Sequence, residues 1–84
     1  MVIQAVLEQN IHMSIPKIRL QFAGQLRKLR KNMKLTQEAM AERVGMDTRY
    51  YQRLESHTPN AIKIDTIEKI AKAMRLPPWK LLKF

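Results

Sequence analysis

Eighty-four residues make one domain at most, and a hydrophobic content of 45% is ordinary for a globular fold rather than a disordered chain. With no cysteine, a disulfide framework and a thiolate metal site are both excluded. Sixteen Lys and Arg against seven Asp and Glu give a formal net charge of +9, an imbalance that answers to a polyanionic partner.

Residues 1–16 hold one charged side chain, Glu8, and no base. The apolar run MVIQAVLEQNIHM has no basic region ahead of it and is interrupted by Glu8, Gln9 and Asn10. It makes a poor signal peptide and is too short to span a bilayer, so a cytoplasmic protein without a membrane partner is expected. Ile11, Met13 and Ile15 alternate with His12 and Ser14 in a strand-like way, while Val2, Ile3, Val6 and Leu7 add apolar surface. This extension is expected either to serve as a dimer arm or to precede a natural start at Met13. Lacking Arg and Lys, it does not suit a minor-groove arm.

All the basic residues lie from Lys17 onward, sixteen against six acids, and from there the pattern is helical. Phe22, Leu26, Leu29 and Met33 recur on one face of a first helix, with Arg27, Lys28, Arg30 and Lys31 between them. Thr36 suits an N-cap for a second helix, whose buried stripe is Met40, Ala41 and Val44. Gly45 can take the left-handed conformation that ends a helix, and Asp47 offers the next N-cap. A third helix is expected from Thr48 to about Ser56. The loop HTPNAIK follows, with Pro59 barring the helix. A fourth helix carries Ile67, Ile70, Ala71 and Met74, its cap open between Lys63 and Asp65. After Pro77 and Pro78, WKLLKF makes a last short helical turn.

The stretch GMDTRYYQRLE concentrates the polar chemistry. Advancing about 100° per residue from Thr48 puts Tyr51 and Leu54 on an inward face. Arg49, Gln52 and Arg53 then lie on the outward side, with Thr48 and Tyr50 flanking it. A short helix presented in this way, behind another helix and a tight glycine turn, is a helix-turn-helix. Its outward residues can enter the major groove, where arginine pairs with guanine O6 and N7 and glutamine with adenine N6 and N7.

Residues 26–55, LRKLRKNMKLTQEAMAERVGMDTRYYQRLE, resemble the Cro/phage-repressor helix-turn-helix family, also called Xre-type regulators. LRKLR of the first helix, LTQEAMAERVG and the closing RLE carry the likeness, and TIEKIAKAM with the turn after it resembles the family's fourth and fifth helices. The fold implied is all-α, a compact five-helix lambda-repressor-like domain over residues 17–84, with residues 1–16 as an N-terminal extension. The resemblance implies that Thr48, Arg49 and Arg53 read bases, with Gln52 beside them. It further implies that Gln37 binds a phosphate while propping the recognition helix, and that Tyr50 reaches base edge or phosphate. Thr36 is a further phosphate candidate and His57 an occasional one, although the loop SHTPN departs from the Asn-Gly-like turn usual there. Arg30 and Glu55 are implied to form a structural ion pair between the first helix and the end of the third. Lys28, Lys31 and Lys34 are expected to face solvent and add long-range attraction.

The function expected is sequence-specific binding of double-stranded DNA by a homodimer acting as a transcriptional repressor on a palindromic operator, with no cofactor and no metal. An alternative is the antitoxin of a toxin–antitoxin pair, gripping a toxin through the extension or PPWKLLKF while regulating its own operon. Catalysis finds no support in the pattern: His12 and His57 stand alone, and no nucleophile motif or glycine-rich phosphate cradle is present. Trp79, Leu82 and Phe84 are expected to supply a dimer surface, or Trp79 to join the core.

Overall fold

In the computed structural model, which describes residues 15–84, four α-helices follow one another: α1 Lys17–Asn32, α2 Gln37–Val44, α3 Thr48–Leu54 and α4 Ile64–Met74. A 3-10 helix, Pro78–Leu82, closes the chain. The expected fifth α-helix is thus this 3-10 segment. Pro77 is extended, Pro78 stands at the first helical position, and the Lys80 amide donates back to the Pro77 carbonyl at 3.0 Å, an i→i+3 bond. The arm or strand expected of residues 1–16 lies, through residue 14, outside the described residues.

Apolar residues at helical spacing make the core. Phe22 and Leu26 of α1 meet Met40, Ala41 and Val44 of α2, Tyr51 and Leu54 of α3, Ile70, Ala71 and Met74 of α4, and Leu81 of the 3-10 helix. Polar ties cross between elements as well: the Gln25 amide donates to the Lys80 carbonyl at 2.8 Å, and Arg43 to the Ala73 carbonyl at 3.4 Å.

Both helix starts near the turn are capped by side chains. The Thr36 hydroxyl oxygen accepts from the Ala39 amide at 3.0 Å, and the Asp47 carboxylate from the Tyr50 amide at 3.2 Å. Lys63, not Asp65, is the N-cap of α4, with no side-chain bond; Asp65 instead sits in the first turn, where its charge suits the helix dipole. Helix α3 stops at Leu54, short of Ser56. The Glu55 and Ser56 amides close i→i+3 bonds to Gln52 and Arg53, and the Ser56 hydroxyl donates to the same Arg53 carbonyl.

Three helices end alike. The residues Lys34, Gly45 and Arg75 are left-handed, with φ of 58°, 86° and 58°. The amide of the next residue then bonds five residues back: Leu35 to Arg30, Met46 to Ala41, Leu76 to Ala71. Leu35, Met46 and Leu76 each pack against the core, the apolar contact that accompanies this termination. Only the middle one uses glycine. The left-handed region costs a residue with a Cβ about 1–2 kcal/mol. A Cβ added at Gly45 would meet nothing within 4 Å, so backbone strain alone sets the effect of a substitution there. Gly45→Ala is expected to lower the melting temperature by at least about 4 °C in a thermal melt; an unchanged Tm would refute the strain.

Candidate nucleic-acid interface

The outward side of α3 is built by what holds its inward side. Tyr51 is fully buried and Leu54 nearly so, which fixes the rotation of the seven-residue helix. Arg49, Gln52 and Arg53 are exposed as a consequence, and Thr48 and Tyr50 are half-buried at the border. The Tyr50 ring leans on the core, and its hydroxyl makes no hydrogen bond among the described residues. Of the other candidates, Thr36 is exposed and spends its oxygen on the cap, Gln37 is half-buried, and His57 is exposed in the loop after α3.

Behind this surface lies a polar cluster centred on Glu55, the residue that follows α3. Arg30 Nε donates to Glu55 Oε2 at 2.7 Å and Arg30 Nη2 to Oε1 at 3.0 Å, a two-pronged pair with side chains 10% and 1% exposed. Arg30 Nη1 also holds the Leu35 carbonyl at 2.7 Å. Gln37 Nε2 donates to Glu55 Oε1 at 3.0 Å, the Tyr51 hydroxyl donates to Oε2 at 2.5 Å, and Arg27 donates to the Glu55 main-chain carbonyl. One carboxylate therefore ties the end of α3 to α1, to the start of α2 and to α3's own preceding turn.

The electrostatics follow from this arrangement. Burial alone would push the Glu55 carboxyl up, but the hydrogen bonds from Arg30, Tyr51 and Gln37 outweigh it and hold the group below the usual carboxylate range. Arg30 is held above its ordinary value, chiefly by its hydrogen bond to Glu55 and against the cost of burial. Burial and then the Glu55 bond push the Tyr51 phenol up, so it stays a donor. Gln37 is thus placed as a prop for α3, with one of its two amide hydrogens committed to Glu55 and the other without a partner among the described residues.

Sequence periodicity assigned Tyr51 to packing alone, and its hydroxyl's part in the cluster was missed. The signal was available: Tyr51 and Glu55 are spaced i, i+4, which brings two side chains together on a helix. Arg27, treated as a filler of the α1 surface, is a second unforeseen member.

A helix-turn-helix family model matches residues 26–78, which takes in the whole of α2, its turn, α3 and α4. The chain belongs to the Cro/phage-repressor helix-turn-helix family. It is accordingly a DNA-binding transcription regulator by fold and family. It is similar to the restriction-modification controller protein C.AhdI from Aeromonas hydrophila, with 31% identity and a TM-score of 0.72 over 77% of this chain and 93% of that one. It is also similar to the hypothetical transcription factor NHTF from Neisseria, with 30% identity and a TM-score of 0.73 over 79% of this chain and 75% of that one. Among curated proteins none matches. Among the described residues, no helix is long and apolar enough to cross a membrane.

Proposed function

We propose that the protein binds a two-fold symmetric duplex operator as a homodimer and represses transcription by occupying it. The observation that carries the reading is the exposed row Arg49, Gln52 and Arg53 on a helix whose opposite side is anchored by Tyr51 and Leu54. In a major groove, Arg49 and Arg53 would each pair with a guanine edge and Gln52 with an adenine, with Thr48 at the border. Gln37, through its second amide hydrogen, and Tyr50, through its hydroxyl, are suited to phosphates on either wall of the groove; Thr36 and His57 are secondary candidates. Gln37 would then couple the DNA backbone to the Glu55 cluster directly.

An apolar face elsewhere supports pairing of two copies. Ile18, Ile64, Trp79 and Leu82 are 58%, 78%, 57% and 44% exposed, so Trp79 is a surface residue and not core. The face holds two adjoining grooves of about 300 and 330 Å³ that share Ile67 and Leu82. Its rim mixes signs: Asp65 and Glu68 lie against it, as does Arg19, and the Lys80 and Lys83 ammonium groups each stand 5.8 Å from the Trp79 ring centroid. Apolar surface with both signs at its edge suits an isologous contact, in which each patch meets its own copy.

Selection of bound sites from a random duplex library tests the reading as a whole. A palindrome with half-site centres about 34–36 Å apart is expected. Recovery of a single asymmetric half-site would remove the homodimer, and recovery of no enriched sequence would remove base reading.

A further inference from the structure

We propose that Lys34 is a DNA-backbone contact, its ammonium carried to the flank of the recognition helix by a left-handed main chain; this rests on the duplex-binding reading above. Lys34 does not belong to α1, as a solvent-facing residue of that helix would. It stands beyond the end of α1, in the turn before α2, with φ of 58°. That turn is clamped to the end of α3. The next residue, Leu35, offers its carbonyl to Arg30 while Arg30 grips Glu55, and Gln37 grips Glu55 from the other side. Lys34 is thus one residue away from a carbonyl held by Arg30, which at the same time pairs with Glu55, the residue that follows the helix presenting Arg53. A helix lying in a groove about 12 Å wide has phosphates along both sides, so a neighbour of its end meets the backbone and not the bases.

Glycine would relieve the left-handed conformation, as it does at Gly45, yet this position carries an exposed lysine that forms no ion pair among the described residues. Strain alone does not mark a contact; what sets Lys34 apart is an exposed cation, unpaired among the described residues, in the turn whose Leu35 carbonyl is tied through Arg30 to Glu55. Arg75 supplies the comparison. It shares the same φ, the same helix termination and the same exposure, but it follows α4, with none of the clamping bonds to Glu55.

The test is a salt titration of duplex binding by the full chain and by Lys34→Gln, Arg75→Gln and Lys34→Gly, with a thermal melt of each. Lys34→Gln is expected to weaken binding uniformly across sequences and to reduce the slope of log affinity against log salt by about one, while Arg75→Gln leaves the slope unchanged. Lys34→Gly is expected to show the same loss of slope together with a Tm raised by about 2–6 °C. Equal slopes for the two glutamine variants would reduce Lys34 to a part of the general field and overturn the assignment. A Lys34→Gly protein that keeps the full salt slope would overturn it equally. If the unaltered protein binds duplex without salt dependence, the duplex-binding reading fails first and takes this assignment with it.

Discussion

Arg30→Ala is expected to cost about 3–5 kcal/mol, a large share of the roughly 5–15 kcal/mol that holds a domain of this size folded. The cost comes less from the lost attraction than from what remains. Glu55, 1% exposed in the intact protein, keeps the Tyr51 and Gln37 hydrogen bonds but loses its countercharge. A thermal melt should show a fall in Tm of about 12 °C or more. An unaltered curve would mean that the pair adds nothing beyond packing. The same carboxylate gives the acid side of the stability profile. Because its folded pKa is depressed, its contribution is complete above the ordinary carboxylate value of about 4.3 and is lost as pH falls through the lower folded value. Removing Arg30 takes away the largest of the influences that hold it down, so the acid transition of Arg30→Ala should begin at higher pH than that of the unaltered chain.

Arg49→Ala and Arg53→Ala should each abolish preference at one base position of the operator, about 1–3 kcal/mol of discrimination, while melting like the unaltered chain. Both side chains are exposed and neither enters the Glu55 cluster, so fold and binding separate cleanly in these variants. Site selection with each variant reads the effect. If the recovered sequence keeps its full preference at every position, the guanidinium in question does not touch a base edge.

The helices and most of their limits were legible in the chain because they follow from short-range rules. Spacing of Phe22, Leu26, Met40, Val44, Ile70 and Met74 marked the buried faces, and Thr36, Gly45 and Asp47 marked the turn through their capping chemistry. The outward orientation of Arg49, Gln52 and Arg53 followed from the same periodicity. What escaped was of two kinds. Lys34 and Arg75 end helices as Gly45 does, but propensity points to glycine, and their conformation is imposed by Leu35 and Leu76 packing back on the core. The convergence of Arg27 and Gln37 on Glu55 joins residues 28 and 18 positions apart, which periodicity does not reach, while the Tyr51 hydroxyl was within reach of the i, i+4 rule. The resemblance to a family supplied Arg30, Glu55 and Gln37 as a prop of the recognition helix, but not Arg27 or the Tyr51 hydroxyl.

Helix α3 has seven residues, so its axis rises only about 10 Å, the height of about three stacked base pairs. A word of three letters recurs about every sixty-four positions in random sequence, far too often to single out one promoter among a genome's competing sites. The brevity of this rod thus sets a ceiling on what one copy can discriminate. Addressing a unique locus requires either a second rod held at fixed separation or information drawn from how readily the intervening duplex bends.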